Sequence, residues 1–132
     1  MRSRAAAIII RDQSILLIHR QKPGKDFYIL PGGGVEVDES IESACIREVK
    51  EETGYDVLHL QLIQVYHNNT TQAQEYYFRV KVPPGEPQLG GPEALEQSQD
   101  NSYTFEWVPA SKLAVINIKP PFARQMCLDL LL

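Results

Sequence analysis

Glu48, Glu51 and Glu52 stand three and four positions apart in a stretch that reads as helix. A helix turns once in 3.6 residues, so this spacing turns the three carboxylates to one side. Ala44, one turn earlier, lies on that side and is too small to cover them, while Cys45, Ile46 and Val49 make a second face suited to packing on a sheet. Like charges so placed cost a helix about 0.2–0.5 kcal/mol per pair. Gathered carboxylates are hard oxygen donors, and they suit Mg²⁺ or Mn²⁺, ions often shared between acidic side chains and substrate phosphates. A solvated acidic face, with Arg47 and Glu51 as an ordinary i, i+4 pair, is the plainer reading of the same residues. Gly32, Gly33 and Gly34, just ahead of the helix, weigh against it, because glycine lets backbone amides and carbonyls approach a ligand closely.

The charge of the chain is concentrated around these residues. The 132 residues carry 13 Lys and Arg against 17 Asp and Glu, a net charge of −4. Residues 36–52 contain Glu36, Asp38, Glu39, Glu42, Glu48, Glu51 and Glu52 against only Arg47 and Lys50. The rest of the chain is close to neutral, so the acidity belongs to one segment. A pI near 5.3 argues against binding duplex nucleic acid through overall positive charge. It leaves room for a nucleotide, which needs only a few cations.

Length and composition fit a single α/β domain over residues 1–132, with an ordinary core and no disulfide framework. Cys45 and Cys127 show no CxxC spacing and read as buried thiols, which points to a cytoplasmic protein. The apolar runs at 5–10 and 127–132 are too short to span a membrane, which takes about 20 residues. His19, His59 and His67 show no metal-ligand spacing.

The elements that must position the glutamates follow from the pattern. Residues 5–10 and 15–19 read as a hairpin about the polar turn 11–14. A short apolar segment at 27–30 runs into the glycines, and the alternation of Val35 and Val37 with Glu36 and Asp38 predicts a brief extended piece. The helix spans 40–53, with Ser40 as its cap and Gly54 as its stop. Strands are expected at 57–67, 75–82 and 103–108, a short helical start at 109–113 and a C-terminal helix at 121–131. The stretch 83–102 is long, rich in Pro, Gly and Gln, and of the length that functional loops have.

From residue 33 to residue 55 the chain resembles the Nudix box, Gly-x5-Glu-x7-Arg-Glu-U-x-Glu-Glu-x-Gly-U, where U is a bulky apolar residue. Gly33, Glu39, Arg47, Glu48, Val49, Glu51, Glu52 and Gly54 stand at the required spacings, and Tyr55 occupies the last, usually aliphatic, position. The resemblance, to MutT-like members of the Nudix hydrolase family, implies an α/β/α sandwich: a mixed β-sheet flanked by the box helix and a C-terminal helix. It implies hydrolysis of a P–O–P bond in a nucleoside diphosphate linked to X, with Mg²⁺ or Mn²⁺ as cofactor. Glu48 and Glu52 would be primary metal ligands, Glu51 and the Gly33 carbonyl further ones. Arg47 would orient the ligand carboxylates and Glu39 would support Arg47, with Gly54 structural.

The general base is left among Glu93 and Glu96 on the long loop and Glu48 or Glu51 in the box. Arg20 and Lys22 are candidates for phosphate contact, and Tyr28 or Phe27 for stacking on a base. Residues 69–72 lack the proline of many ADP-ribose hydrolases, the Ser-Gln-Pro-Trp pattern of NADH hydrolases is absent, and no asparagine follows Pro120-Pro121. The expected partner is a small nucleotide and no membrane, the expected state monomer or homodimer. The competing reading is a non-catalytic nucleotide-sensing module, against which stands the presence of every box glutamate.

Overall fold

The structure is a computed structural model that describes residues 2–90, 94, 97–98 and 100–132. Seven strands, β1 (Arg2–Arg11), β2 (Ser14–Lys22), β3 (Lys25–Ile29), β4 (Gly32–Gly34), β5 (His59–Asn68), β6 (Ala73–Lys81) and β7 (Ser102–Pro109), form one mixed sheet. Among the described residues three helices accompany them: α1 (Ile41–Thr53), the one-turn α2 (Ala110–Leu113) and α3 (Phe122–Leu131). The order along the sheet is β3-β2-β1-β6-β5, with β4 beside β1 and β7 beside β2. Among the pairings of these seven strands, the β1–β6 one is parallel and the others are antiparallel.

The β1–β2 turn is made by Asp12 and Gln13, at φ 51° and 62°. Two consecutive positive φ values suit a two-residue hairpin, since they match the twist of the strands. Beyond the turn the strands part: the β1–β2 register holds only Ile10 with Ile15 and Arg11 with Ser14. From there β1 takes β4 and β6 as neighbours, and β2 takes β3 and β7.

Alternation along β1 divides the core between the two faces of the sheet, since successive side chains of a strand point opposite ways. Ala5, Ala7 and Ile9 pack with Ala44, Cys45 and Val49 of α1 and with Phe78 and Val80 of β6. Ile8 packs on the other side with Ala123 and Cys127 of α3 and with Leu113 and Ile118. The result is three layers, helix on sheet on helix, as the box resemblance implies. Among the described residues no helix is long and apolar enough to cross a membrane. Burial pushes both thiols, Cys45 and Cys127, up to about 12. They are free and sealed in the core.

Two local expectations are corrected. The extended piece near the glycines is Gly32–Gly34 itself, held against Arg4, Ala5 and Ala6 of β1, and not the Val35–Val37 alternation. Val37 is 92% exposed, so its alternation with acids marks a loop and not a half-buried strand. Ile46 does not pack on the sheet and is 42% exposed, while Ala44, Cys45, Val49 and Glu52 are buried. At about 100° per residue Glu52 falls between Ala44 and Cys45 in the middle of the buried arc, while Ile46 falls at its edge beside Thr53. The acidic and apolar faces of α1 therefore overlap, and Glu52 lies where they do.

Candidate active site

The helix carrying the acids is fixed at both ends. The Ser40 hydroxyl accepts the Ser43 N–H at 3.0 Å, and Gly54 closes the helix at φ 78° with its N–H on the Lys50 carbonyl. An N-cap of this kind is worth about 1 kcal/mol, and glycine adopts the left-handed closing conformation without steric cost. The helix lies against β1 and β4, and β4 presents its backbone to the acidic residues.

Glu52, 3% exposed, accepts the Gly32 N–H at 2.6 Å. Gly33 faces Glu48 so closely that a Cβ there would stand 2.4 Å from the Glu48 carboxyl carbon. Any side chain at 33 would displace that carboxylate, which explains glycine at this box position.

Arg47 organises the exposed edge of the site. Its Nε and Nη2 hold both oxygens of Glu39 at 2.8 and 2.9 Å, the bidentate geometry in which a guanidinium fits a carboxylate best. Nη2 also donates to the Gly34 carbonyl at 3.0 Å, and Nη1 donates to Glu48 at 2.9 Å and to Glu51 at 3.3 Å. One side chain thus ties α1 to β4 and to the connection before the helix. The guanidinium, helped by the Glu36 N–H, holds the Glu39 carboxyl down at about 2. In return Glu39 first, and Glu48 after it, push Arg47 further above its usual value.

Glu48, Glu51, Glu52 and Gly32–Gly34 line one cleft of about 320 Å³, completed by Arg4 of β1, Ile18 and Arg20 of β2, Ile29 of β3 and Tyr103 of β7. It lies where the two strand sets diverge from the β1–β2 turn. Among the described residues no group of three His, Cys, Asp or Glu side chains is arranged to enclose a metal ion. The three carboxylates share the cleft without forming a cage, since Glu52 turns to Gly32 while Arg47 gathers Glu48 and Glu51. The donors nonetheless fit a hard divalent cation in kind: they are oxygens alone, beside a backbone cradle that a Cβ would fill.

Of the cations expected to meet phosphate, Arg20 reaches the cleft and Lys22 does not. Arg20 lies 3.7 Å over the Tyr103 ring, and its Nη2 donates to Asn101 at 2.8 Å. Its Nε is buried, with no hydrogen-bond acceptor among the described residues. Lys22 lies at the β2–β3 turn, in a wider open depression with Gln21, Pro23 and Asp100 that holds none of the box residues. Arg20 and Lys22, two apart in β2, share a face of the strand, so the separation comes from distance along it. Tyr28 is also outside the cleft: it is 6% exposed and stacks flat on His19, with ring centroids 4.1 Å apart. Burial raises its hydroxyl above the usual tyrosine value, as does its bond with Glu106. Glu93 and Glu96 lie outside the described residues.

Sequence reasoning missed Arg4 and Tyr103. Arg4 stands opposite Gly34 in the β1–β4 register, and Tyr103 stands opposite Arg20 in the β2–β7 register. Both placements are strand pairings between segments about 30 and 80 residues apart, and no local signal announces them.

The NUDIX domain profile matches residues 1–129. An ADP-ribose pyrophosphatase of Methanocaldococcus jannaschii is 48% identical over 60 residues, 45% of this chain and 36% of that protein. A relative from Caenorhabditis elegans is likewise matched over only 19% of its length, so the chain spans between a fifth and about a third of these two curated relatives. A MutT-like protein of Streptomyces ambofaciens is 31% identical over 110 residues, 83% of this chain and 64% of the relative. A solved MutT structure, from work on Aliivibrio salmonicida and Vibrio cholerae, superposes with a TM-score of 0.74 at 25% identity, covering 97% of this chain and 96% of the other. The complete box, the three-layer fold around it and the profile match over nearly the whole chain make this protein a member of the Nudix hydrolase family.

Proposed function

We propose that the protein hydrolyses a P–O–P bond in a nucleoside diphosphate linked to X, a nucleoside triphosphate or a related small nucleotide, with Mg²⁺ as cofactor and Mn²⁺ as a substitute. The observation that carries this reading is that the box carboxylates, the Gly32–Gly34 backbone and the Arg20 side chain line one and the same cleft. Carboxylates alone would repel a pyrophosphate. A cation among them, with a guanidinium opposite, would make the same cleft attractive to it.

Glu48, Glu51, Glu52 and the Gly33 carbonyl would hold the cation. When bound, it supplies Lewis-acid stabilisation of phosphoryl oxygens and acidifies water. Arg20 binds and orients a phosphate with its guanidinium, braced by Asn101 and Tyr103. Arg47 keeps the Glu48 and Glu51 carboxylates turned to the cleft, and Glu39 keeps Arg47 in place. The proton of the attacking water passes to a glutamate, either Glu48 or Glu51 in the cleft or Glu93 or Glu96 on the long loop. A cytoplasmic setting belongs to the same reading, supported by two free, buried thiols.

The test is a screen of nucleoside triphosphates, ADP-ribose, diadenosine polyphosphates, nucleotide sugars and capped RNA with Mg²⁺, reading released phosphate or pyrophosphate. Turnover of at least one class, abolished by excess EDTA, is the expected result. Turnover undiminished by EDTA would exclude the cation, and binding of nucleotides without any turnover would leave a sensing module in place of an enzyme.

A further inference from the structure

The last turn of α1 is held from a side that the box does not include. The final carbonyls of a helix lack intrahelical partners and need donors from elsewhere. In α1 the Lys50 carbonyl takes the Gly54 N–H at 3.0 Å. The next donors come from the segment after β6: the Gly90 N–H reaches the Glu52 carbonyl at 3.3 Å, and the Gln88 N–H reaches the Thr53 carbonyl at 2.9 Å. Gly90 sits so close to the helix that a Cβ would lie 2.5 Å from the Glu51 carbonyl oxygen. That oxygen is backbone and cannot swing aside as a side-chain end could.

The same segment is clamped at its other end. The Gly85 carbonyl accepts from the Tyr55 hydroxyl at 2.5 Å and from Arg11 Nη1 at 2.7 Å. Arg11 also donates to the Pro83 carbonyl at 3.1 Å, with its guanidinium 4.7 Å from the Trp107 ring centroid and 5.7 Å from that of Tyr55. Residues 83–90 are therefore a strap, fastened on Arg11 of β1 and on Tyr55 at one end and on α1 at the other. Glu52 is gripped twice: its carboxylate by the Gly32 N–H, and its backbone carbonyl by the Gly90 N–H.

We propose that residues 83–90 set the position of the Glu51 and Glu52 carboxylates through the backbone of α1, with Gly90 as the positioning residue. Gly90 touches no substrate and acts only through the helix carbonyls. The functional value of that position rests on the reading of Glu51 and Glu52 as cation ligands, while the mechanical coupling does not depend on it. The coupling has a reporter remote from the strap: the Gly32 amide is protected by Glu52, and Gly32 belongs to β4.

The experiment compares Gly90→Ala and Tyr55→Phe with the unaltered protein in two measurements, amide hydrogen exchange and Mn²⁺ binding by electron paramagnetic resonance. Gly90→Ala forces a backbone shift at Glu51. Tyr55→Phe removes one hydrogen bond at the distant end, keeps the aromatic body, and serves where the alanine variant fails to fold. Both are expected to speed exchange at Gly32 at least ~10-fold, while the amides of the β5–β6 pairing hold their rates, because exchange rate follows local opening. Mn²⁺ is expected to bind ~10-fold more weakly, as outer contacts of a metal site typically matter by this much. Exchange at Gly32 that is unchanged in folded variants overturns the strap, as does acceleration spread evenly over the whole sheet. If the unaltered protein binds no Mn²⁺, the proposed function fails, and the Gly32 amide still decides whether the strap positions Glu52.

Discussion

The carboxylate of Glu52 and the backbone N–H of Gly32 meet at 2.6 Å across twenty residues of chain. An acid on the core-facing side of a helix is thereby joined to the one short strand made of glycine alone. Burying a carboxylate is costly unless hydrogen bonds or opposite charge compensate it. At Glu52 the backbone of β4 supplies a donor and still leaves the group on the wall of the cleft.

Glu52→Gln keeps an oxygen that can accept the Gly32 N–H and removes the charge. The variant should fold with a melting temperature close to that of the parent. Turnover with Mg²⁺ should fall at least ~100-fold, the scale expected on losing a metal ligand. Steady-state hydrolysis at saturating metal is the measurement, and equal activity would sink the assignment.

Gly33→Ala places a methyl group where the Glu48 carboxyl now lies. The obstacle is the far end of a flexible side chain, so the fold should survive and Glu48 should swing away. The expected outcome is a drop of about 10–100-fold in turnover with a raised metal requirement. Titrating activity against Mg²⁺ separates this from simple unfolding. Unchanged half-saturation would place Glu48 outside the metal set.

Arg20→Ala should act on binding more than on the chemical step. A hydrogen bond to a charged group is worth about 1.5–3 kcal/mol, so KM should rise on the order of 10-fold or more while kcat changes less. Arg20→Lys should restore only part of the loss, because an ammonium lacks the planar fork and stacks less well on Tyr103. A fall in kcat with KM intact would assign Arg20 to the transition state instead.

The Glu39–Arg47 pair predicts a specific acid limb of stability. The folded carboxyl of Glu39 sits at about 2, below its ordinary 4.5. A depressed carboxyl contributes stability that is complete above its unfolded value and is lost as pH falls toward its folded value. Urea unfolding should therefore weaken between pH 4.5 and about 2 through this group. Glu39→Gln should be less stable than the parent at neutral pH, and the difference should shrink through that window. A difference constant with pH would show that the pair does not titrate as described.

Much of the molecule was legible locally. The box helix could be placed within a residue at each end, because Ser40 and Gly54 carry their capping chemistry in their own side chains and backbone. The β1–β2 hairpin and the C-terminal helix were legible for the same reason, as apolar periodicity reports the surface an element must bury. The Val35–Val37 alternation failed because only Val35 packs on the core while Val37 is left in solvent, and burial is a property of neighbours. Ile46 failed because the helix was divided into acidic and apolar faces, whereas Glu52 is both acidic and core-facing.

The sequence alone determined the donor chemistry: which carboxylates, which glycines and which arginine stand at fixed spacing within 23 residues. It did so because a helix and a tight turn convert spacing into direction without help from the rest of the chain. Only the tertiary structure decided what faces those donors. Arg4, Arg20, Tyr103 and the backbone of Gly90 arrive through strand register and through the docking of residues 83–90. Those contacts join segments tens of residues apart, and they depend on how the whole sheet pairs, which no local pattern encodes.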